Sequence, residues 1–168
     1  IRLSLVGSEM CIRDRMKLTA FSDVGLRVMM LLSGVPEGSK LTTHELADGV
    51  ATPYNHVAKA VARLSELGLV QATRGRFGGV RITEAGRRES VGHLLRELEG
   101  DQPMVECEAP DGECPLNHLC SLRGVLNRAR EAFYAELDAV IISELPHSRQ
   151  MGPVMVQLGM RPPQDALA

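Results

Sequence analysis

The sequence predicts a mainly α-helical chain with one small β-hairpin, and three observations carry that prediction. Apolar residues recur at i, i+3, i+4 and i+7 in several stretches between residues 22 and 145, the spacing of a buried helix face. A capping box, Thr42-Thr43-His44-Glu45, opens a short helix that breaks at Gly49, and a second helix follows the turn Gly49-Val50-Ala51. The run Arg74-Gly75-Arg76-Phe77-Gly78-Gly79 then separates two strand-like segments. Together these read as a winged helix-turn-helix domain over residues 16–83. After it come a linker helix over 84–105, a cysteine loop over 106–120, a long dimerisation helix over 121–145 and a flexible tail over 146–168.

By length the 168 residues hold one or at most two small domains. The run Val6-Gly7-Ser8-Glu9-Met10-Cys11-Ile12-Arg13-Asp14 matches the translated read-through of a transposon-type sequencing-library adapter. A signal peptide does not fit, because charges interrupt any apolar core and no small-residue cleavage site follows. Met16 is therefore the expected start, with residues 1–15 a non-native segment. Setting Cys11 aside leaves three cysteines, all in one loop. An odd, clustered set argues against a disulfide framework and suits metal ligation in a reducing cytoplasm. The expected location is cytoplasmic with no membrane partner, since no apolar run approaches the roughly 18 residues of a membrane span. The net charge of -2 divides unevenly: Lys and Arg exceed Asp and Glu by three over residues 16–83 and fall short by six over 84–168. A basic front half fits a DNA reader and an acidic back half a sensing and dimerising part; ordinary surface composition would look the same.

Met16–Leu32 reads as a short lead into an amphipathic or buried helix. Ser22 is its expected N-cap, Asp23 lies in the first turn where the helix dipole favours a carboxylate, and Val28, Met29, Leu31 and Leu32 enter a core. Gly34–Ser39 is a loop. Thr42 caps the next helix, Glu45 reaches back to it, and Leu41 and Leu46 have the spacing of a hydrophobic staple. Thr52 is expected to cap the following helix with Pro53 at its first position, where a missing N–H costs nothing. Val57, Val61 and Leu64, extended by Leu67, form its inward stripe, and Gly68 ends it.

Tyr54, Asn55, His56, Lys59 and Arg63 point away from that stripe. Such a face suits a major groove, where polar side chains near the helix start reach base edges while Lys and Arg meet phosphates. A solvated face would read the same way, so the DNA reading leans on the next segment. Leu69–Thr73 and Val80–Thr83 flank the glycine-rich turn as the strands of a wing. The glycines permit a positive φ and let backbone approach a phosphate, while Arg74 and Arg76 suit a minor groove or a phosphate clamp. The turn lacks the G-x-G-x-x-G spacing and the P-loop lysine of a nucleotide site. The candidate contacts to a double-stranded DNA operator are therefore Thr43, Tyr54, Asn55, His56, Lys59, Arg63, Arg74 and Arg76.

Glu84–Arg88 is a helical turn leaving the wing, and Ser90 caps a helix that carries Val91, Leu94, Leu95 and Leu98 and ends at Gly100. The loop that follows sets Cys107, Cys114 and Cys120 at C-x6-C-x5-C. Three thiolates so gathered want a soft metal, either zinc or an iron–sulfur cluster. His118 is a further candidate, completing a zinc site of three cysteines and one histidine. From Cys120 the pattern Leu122, Val125, Leu126, Ala129, Phe133, Leu137, Val140, Ile141 reads as one amphipathic helix to about Leu145. A helix of about 25 residues spans about 37 Å, too long to bury one stripe against so small a body. Its expected partner is the same helix of a second chain, with an intramolecular bundle as the alternative. The tail has weak periodicity and is expected to be mobile. No motif joins a cysteine to a catalytic histidine and an orienting acid, so the chain is not expected to be an enzyme.

From Met16 to about Leu145 these residues resemble the Rrf2 family of bacterial winged-helix regulators. The resemblance rests on Met16-Lys17-Leu18-Thr19-Ala20-Phe21-Ser22-Asp23 with Leu26-Arg27, on Asn55-His56-Val57-Ala58-Lys59-Ala60-Val61, on Arg74-Gly75-Arg76-Phe77-Gly78-Gly79, and on the three-cysteine loop. It implies a homodimer with swapped long helices, each protomer holding an iron–sulfur cluster. Within the family the opening segment and the Asn-His-x-x-Lys segment are most similar to the NsrR branch of nitric-oxide-sensing repressors. That similarity implies a 4Fe–4S cluster held by Cys107, Cys114 and Cys120, with the partner's Asp23 as the fourth ligand. The IscR branch has a histidine three residues after the last cysteine, where this chain has Arg123.

The mechanism so implied is a switch. An intact cluster fixes the loop and the partner's first helix in one geometry, with two recognition helices about 34–36 Å apart on a pseudo-palindromic operator. Nitric oxide attacks the irons, the tie through Asp23 is lost and repression lifts. Two alternatives use the same residues. One is an iron- or redox-responsive regulator, RirA- or IscR-like, including one with a 2Fe–2S cluster. The other is a winged-helix regulator whose cysteines bind zinc or act as redox thiols.

Overall fold

Thr19 caps the first helix, α1 (Ala20–Gly34): its Oγ accepts the Ser22 backbone N–H at 3.1 Å. Ser22, the expected cap, instead lies inside the helix, fully buried, with its hydroxyl 2.9 Å from the Thr19 Oγ. The computed structural model describes residues 18–100, 105, 107, 114–116 and 120–161. The leading segment 1–15, Met16, His118 and most of the loop over 106–120 lie outside the described residues.

The capping box forms as the sequence predicts and starts α2 (Thr43–Gly49). The Glu45 N–H donates to the Thr42 Oγ at 3.2 Å, and the Thr42 N–H donates to the Glu45 carboxylate at 2.6 Å. Leu41 and Leu46 are both fully buried beside it. The turn to α3 (Tyr54–Glu66) passes through Ala51 at φ 50°, a left-handed conformation costing roughly 1–2 kcal/mol for a residue with a β-carbon. Thr52 N–H to the Ala47 carbonyl closes that turn at 3.0 Å. Thr52 does not cap α3; its hydroxyl donates back to the Val50 carbonyl at 3.1 Å, and Pro53 takes the cap position.

Strands β1 (Val70–Thr73) and β2 (Gly79–Ile82) pair antiparallel from Val70↔Ile82 to Thr73↔Gly79. A bridge between Leu41 and Val80 fastens this wing to the start of α2. Thr83 caps α4 (Glu84–Arg88), and Ser90 caps α5 (Val91–Glu99), which ends at Gly100 with φ 65°. The core runs along α1, which packs on α3 and α5: Val28, Met29 and Leu32 share one buried cluster with Val57, Ala60 and Leu64 of α3 and with Leu94 and Leu98 of α5. Each Val, Leu or Met side chain among them contributes about 1.5–3 kcal/mol on full burial. Gly25 permits the α1–α5 approach, since a Cβ there would stand 2.7 Å from Leu98 Cδ1.

Two expectations for the back half need correcting. The long helix, α6, spans Ser121–Asp138 and stops short of the expected end near Leu145. Beyond it the backbone is captured by the start of α5: Val91 N–H donates to the Val140 carbonyl at 2.9 Å and Ile142 N–H to the Glu89 carbonyl at 3.0 Å. Ile142 then enters the core at the start of a 3₁₀ turn, Ile142–Glu144. The tail, expected to be mobile, contains a further helix, α7 (Ser148–Gln157), with Met151 and Met155 buried in the core. A bare glycine admits it: a Cβ on Gly34 would stand 2.7 Å from Met151 Cε and 2.9 Å from its sulfur. No helix among the described residues is long and apolar enough to cross a membrane.

A candidate nucleic-acid face and a cysteine loop

The inward stripe of α3 leaves Tyr54, Asn55, His56 and Lys59 exposed, with Thr43 half-buried at the start of α2. Between α3 and the wing runs a groove of about 900 Å³, lined among others by Thr43, Tyr54, Ala62, Arg74 and Arg76. The structure thus brings together expected DNA-facing residues from three elements. Tyr54 is braced by His44 of α2, ring centroids 4.4 Å apart, a positioning contact that sequence reasoning missed. Two bonds from the Arg81 guanidinium to Gln71 Oε1, at 2.9 and 2.6 Å, tie the wing strands on their exposed face. At the tip, Gly75 has φ 106° and its carbonyl accepts the Gly78 N–H at 2.9 Å.

Arg63 sits differently from its expected neighbours. Its Nη2 is 3.3 Å from both the carbonyl and the carboxylate of Glu97 on α5, and its Nη1 is 3.4 Å from Glu66. Its guanidinium is therefore shared between two carboxylates, whereas Lys59 is exposed. The contact links α3 to α5 across 34 residues of sequence, which no local pattern reveals.

Asp23 stands on the exposed start of α1, paired to Arg27 at 2.6 Å. An i, i+4 pair this exposed contributes only about 0.3–0.5 kcal/mol, so another partner can compete for the carboxylate. Nearby, the Thr19 N–H donates to Glu99 Oε1 at 2.8 Å, joining the start of α1 to the end of α5 just before the cysteine loop. Cys107, Cys114 and Cys120 are free thiols, all half-buried, and Cys120 occupies the N-cap position of α6. Among the described residues no three His, Cys, Asp or Glu lie close enough together to hold a metal ion. The donor set nonetheless fits in kind: three thiols free of disulfides are what an iron–sulfur or zinc site asks of one chain, leaving a fourth position for another ligand.

The helix that Cys120 caps, α6, is held against α5. Arg96 donates to both Asp138 carboxylate oxygens, at 2.6 and 3.0 Å, and its Cζ lies 4.6 Å from the centroid of the Tyr134 ring. The hydrogen bond from Arg96 holds the Asp138 carboxyl below the usual carboxylate range and raises the guanidinium in turn. Burial pushes the Tyr134 hydroxyl up, with the Glu99 charge adding to it. Gly92 makes the approach possible, since a Cβ there would stand 2.7 Å from both the Asp138 backbone nitrogen and the Tyr134 carbonyl oxygen. No residue of α6 is buried; Leu122, Val125 and Phe133 are at least half exposed along it.

Residues 18–148 match the Rrf2 family, described as iron-dependent transcriptional regulators. The chain is 49% identical over 148 residues to the HTH-type transcriptional repressor NsrR of Streptomyces coelicolor, covering 88% of this chain and 99% of that relative. It is 35% identical over 135 residues to the HTH-type transcriptional regulator NsrR of Geobacillus kaustophilus, covering 80% and 92%. Its fold is similar to that of CymR from Staphylococcus aureus, with a TM-score of 0.59 at 22% identity over 77% of this chain and 95% of the other. IscR from T. potens gives a TM-score of 0.61 at 18% identity over 77% and 85%.

Proposed function

The chain belongs to the Rrf2 family of transcriptional regulators, and from that premise we propose that it is a DNA-binding repressor. It works as a homodimer and senses nitric oxide through a 4Fe–4S cluster at its cysteine loop. The observation that carries this reading is a continuous set of contacts between the loop and the recognition helix. Cys120 begins α6; α6 grips α5 through Arg96, Asp138 and Gly92; α5 packs on α1 and holds Arg63 of α3 through Glu97. A displacement of the loop therefore has a packed route to the helix that would read DNA. The NsrR repressor at 49% identity supports the same reading.

Asn55, His56 and Lys59, with Tyr54 braced by His44, would face base edges and phosphates in a major groove, while Arg74 and Arg76 on the wing would reach the neighbouring minor groove. The exposed apolar side chains of α6 support a dimer in which α6 of a second copy covers them. Cys107, Cys114 and Cys120 would hold the cluster together with the partner's Asp23. When bound, the cluster supplies iron that nitric oxide attacks. For Asp23 to serve, its carboxylate exchanges the weak Arg27 pair for the partner's loop, which fixes the start of one α1 against the other protomer. Losing that tie lets the two recognition helices move out of register with their half-sites, and each 1.4 kcal/mol of lost fit is tenfold in affinity.

Anaerobic isolation tests the reading. The expected product is a brown dimer that contains iron and sulfide and absorbs broadly in the visible range. A colourless protein with stoichiometric zinc would make the loop a structural zinc site and overturn the sensing half of the proposal.

A further inference from the structure

The wing tip carries a residue that the fold does not use. Phe77 is 86% exposed, whereas Phe21 packs against the core and Phe133 is 50% exposed. The Phe77 ring lies against its neighbour, the Arg76 guanidinium, whose Cζ is 5.9 Å from the ring centroid. The turn that presents it is tightly built. Gly75 has a positive φ, Gly78 N–H closes the turn on the Gly75 carbonyl, and a Cβ on Gly78 would collide with the Thr73 carbonyl. Arg74, Arg76 and Phe77 are all exposed on this turn, which contains no acidic residue.

An aromatic ring exposed on a tight turn that also exposes two arginines matches one kind of surface in particular. The arginines are drawn to the negative potential of a narrow minor groove, and an apolar side chain entering with them can wedge into a base step and unstack it. The tip is also continuous with the exposed face of α3, since Arg74, Arg76 and Tyr54 line one groove.

Resting on the DNA-binding reading above, we propose that Phe77 is a minor-groove wedge. The wing inserts its ring against the bases while Arg74 and Arg76 take the flanking phosphates and groove floor. Sequence preference then comes partly from the base step that deforms most easily, in addition to the bases read by α3. Pyrimidine–purine steps are the softest, so the wing favours one of these at its point of entry.

The chain has no tryptophan, so F77W installs a single indole reporter at the tip. The probe is a duplex selected from a random library by the full-length, anaerobically prepared wild-type protein. On adding that duplex, the indole emission of F77W falls at least twofold and becomes shielded from iodide. F77A loses affinity by about tenfold, as expected for one lost stacking contact, while the salt dependence of binding stays as in wild type because no phosphate contact is removed. If wild type binds while F77A binds within twofold of it and the F77W indole stays open to iodide, the wedge is refuted and the DNA reading stands. If wild type selects no duplex at all, the DNA reading fails and the wedge with it.

Discussion

Gly92→Ala probes the joint through which the loop would act. A methyl at this position would stand 2.7 Å from the backbone nitrogen of Asp138 and the carbonyl oxygen of Tyr134, so α6 must retreat by about 0.7 Å to regain ordinary contact. Those two atoms are the ends of a single i to i−4 helical hydrogen bond, so they must retreat together. The retreat is a shift of α6 away from α5, and carried rigidly it moves Cys120, about 27 Å away at the other end of the helix, by about the same distance. Overpacking of this kind costs about 1–3 kcal/mol. Urea denaturation followed by circular dichroism reads that loss, and gel-shift titration of the cluster-loaded protein reads the accompanying fall in operator affinity. A Gly92→Ala protein within about 0.5 kcal/mol of wild type, and equal to it in affinity, would show that the α5–α6 contact neither strains nor transmits.

Met155→Ala removes a side chain 1% exposed in the core and should cost about 2–5 kcal/mol in urea denaturation, which an unattached tail would not. Asp138→Asn should lower thermal stability at neutral pH. Because Arg96 depresses the Asp138 pKa, the stabilisation is full above the ordinary carboxylate value of about 4 and is lost as pH falls through the depressed one. The melting-temperature gap to wild type should therefore stay level near neutrality and close in acid. Lys59→Ala and Arg76→Ala should each weaken operator binding and lower its salt slope by about one, whereas Arg63→Ala should leave the slope nearly unchanged because Glu66 and Glu97 already hold its charge. Cys114→Ala should abolish iron and sulfide content measured after anaerobic isolation.

What could be read from the sequence was local. Thr42 and Glu45 lie three residues apart and settle the start of α2 between themselves, and the wing follows from glycines beside its own strands. Ser90 and Gly100 bracket α5 in the same way. What escaped depends on distant partners. The stripe on α6 continues through Val140 on paper, but Glu89 and Val91 take the backbone there into a different pairing. The residues of α7 show little periodicity of their own, and the burial of Met151 depends on space left by Gly34 more than 100 residues earlier. Arg63 resembled Lys59 until Glu97 was brought alongside it. Ser22 was the cap expected from its neighbours, but its burial inside the helix leaves that position to Thr19. Three cysteines in one loop were legible as a candidate ligand set, and they are free thiols in the structure, whereas the part proposed for Asp23 needs a second chain.

The claim beneath all of this is that chemistry at the cysteine loop sets the grip on DNA. Its most direct test is the operator affinity of the anaerobically prepared protein, titrated before and after stoichiometric nitric oxide and again after removal of any cluster. The account predicts tight binding at first and a loss of at least tenfold in both treated samples. Equal affinity in all three would contradict it.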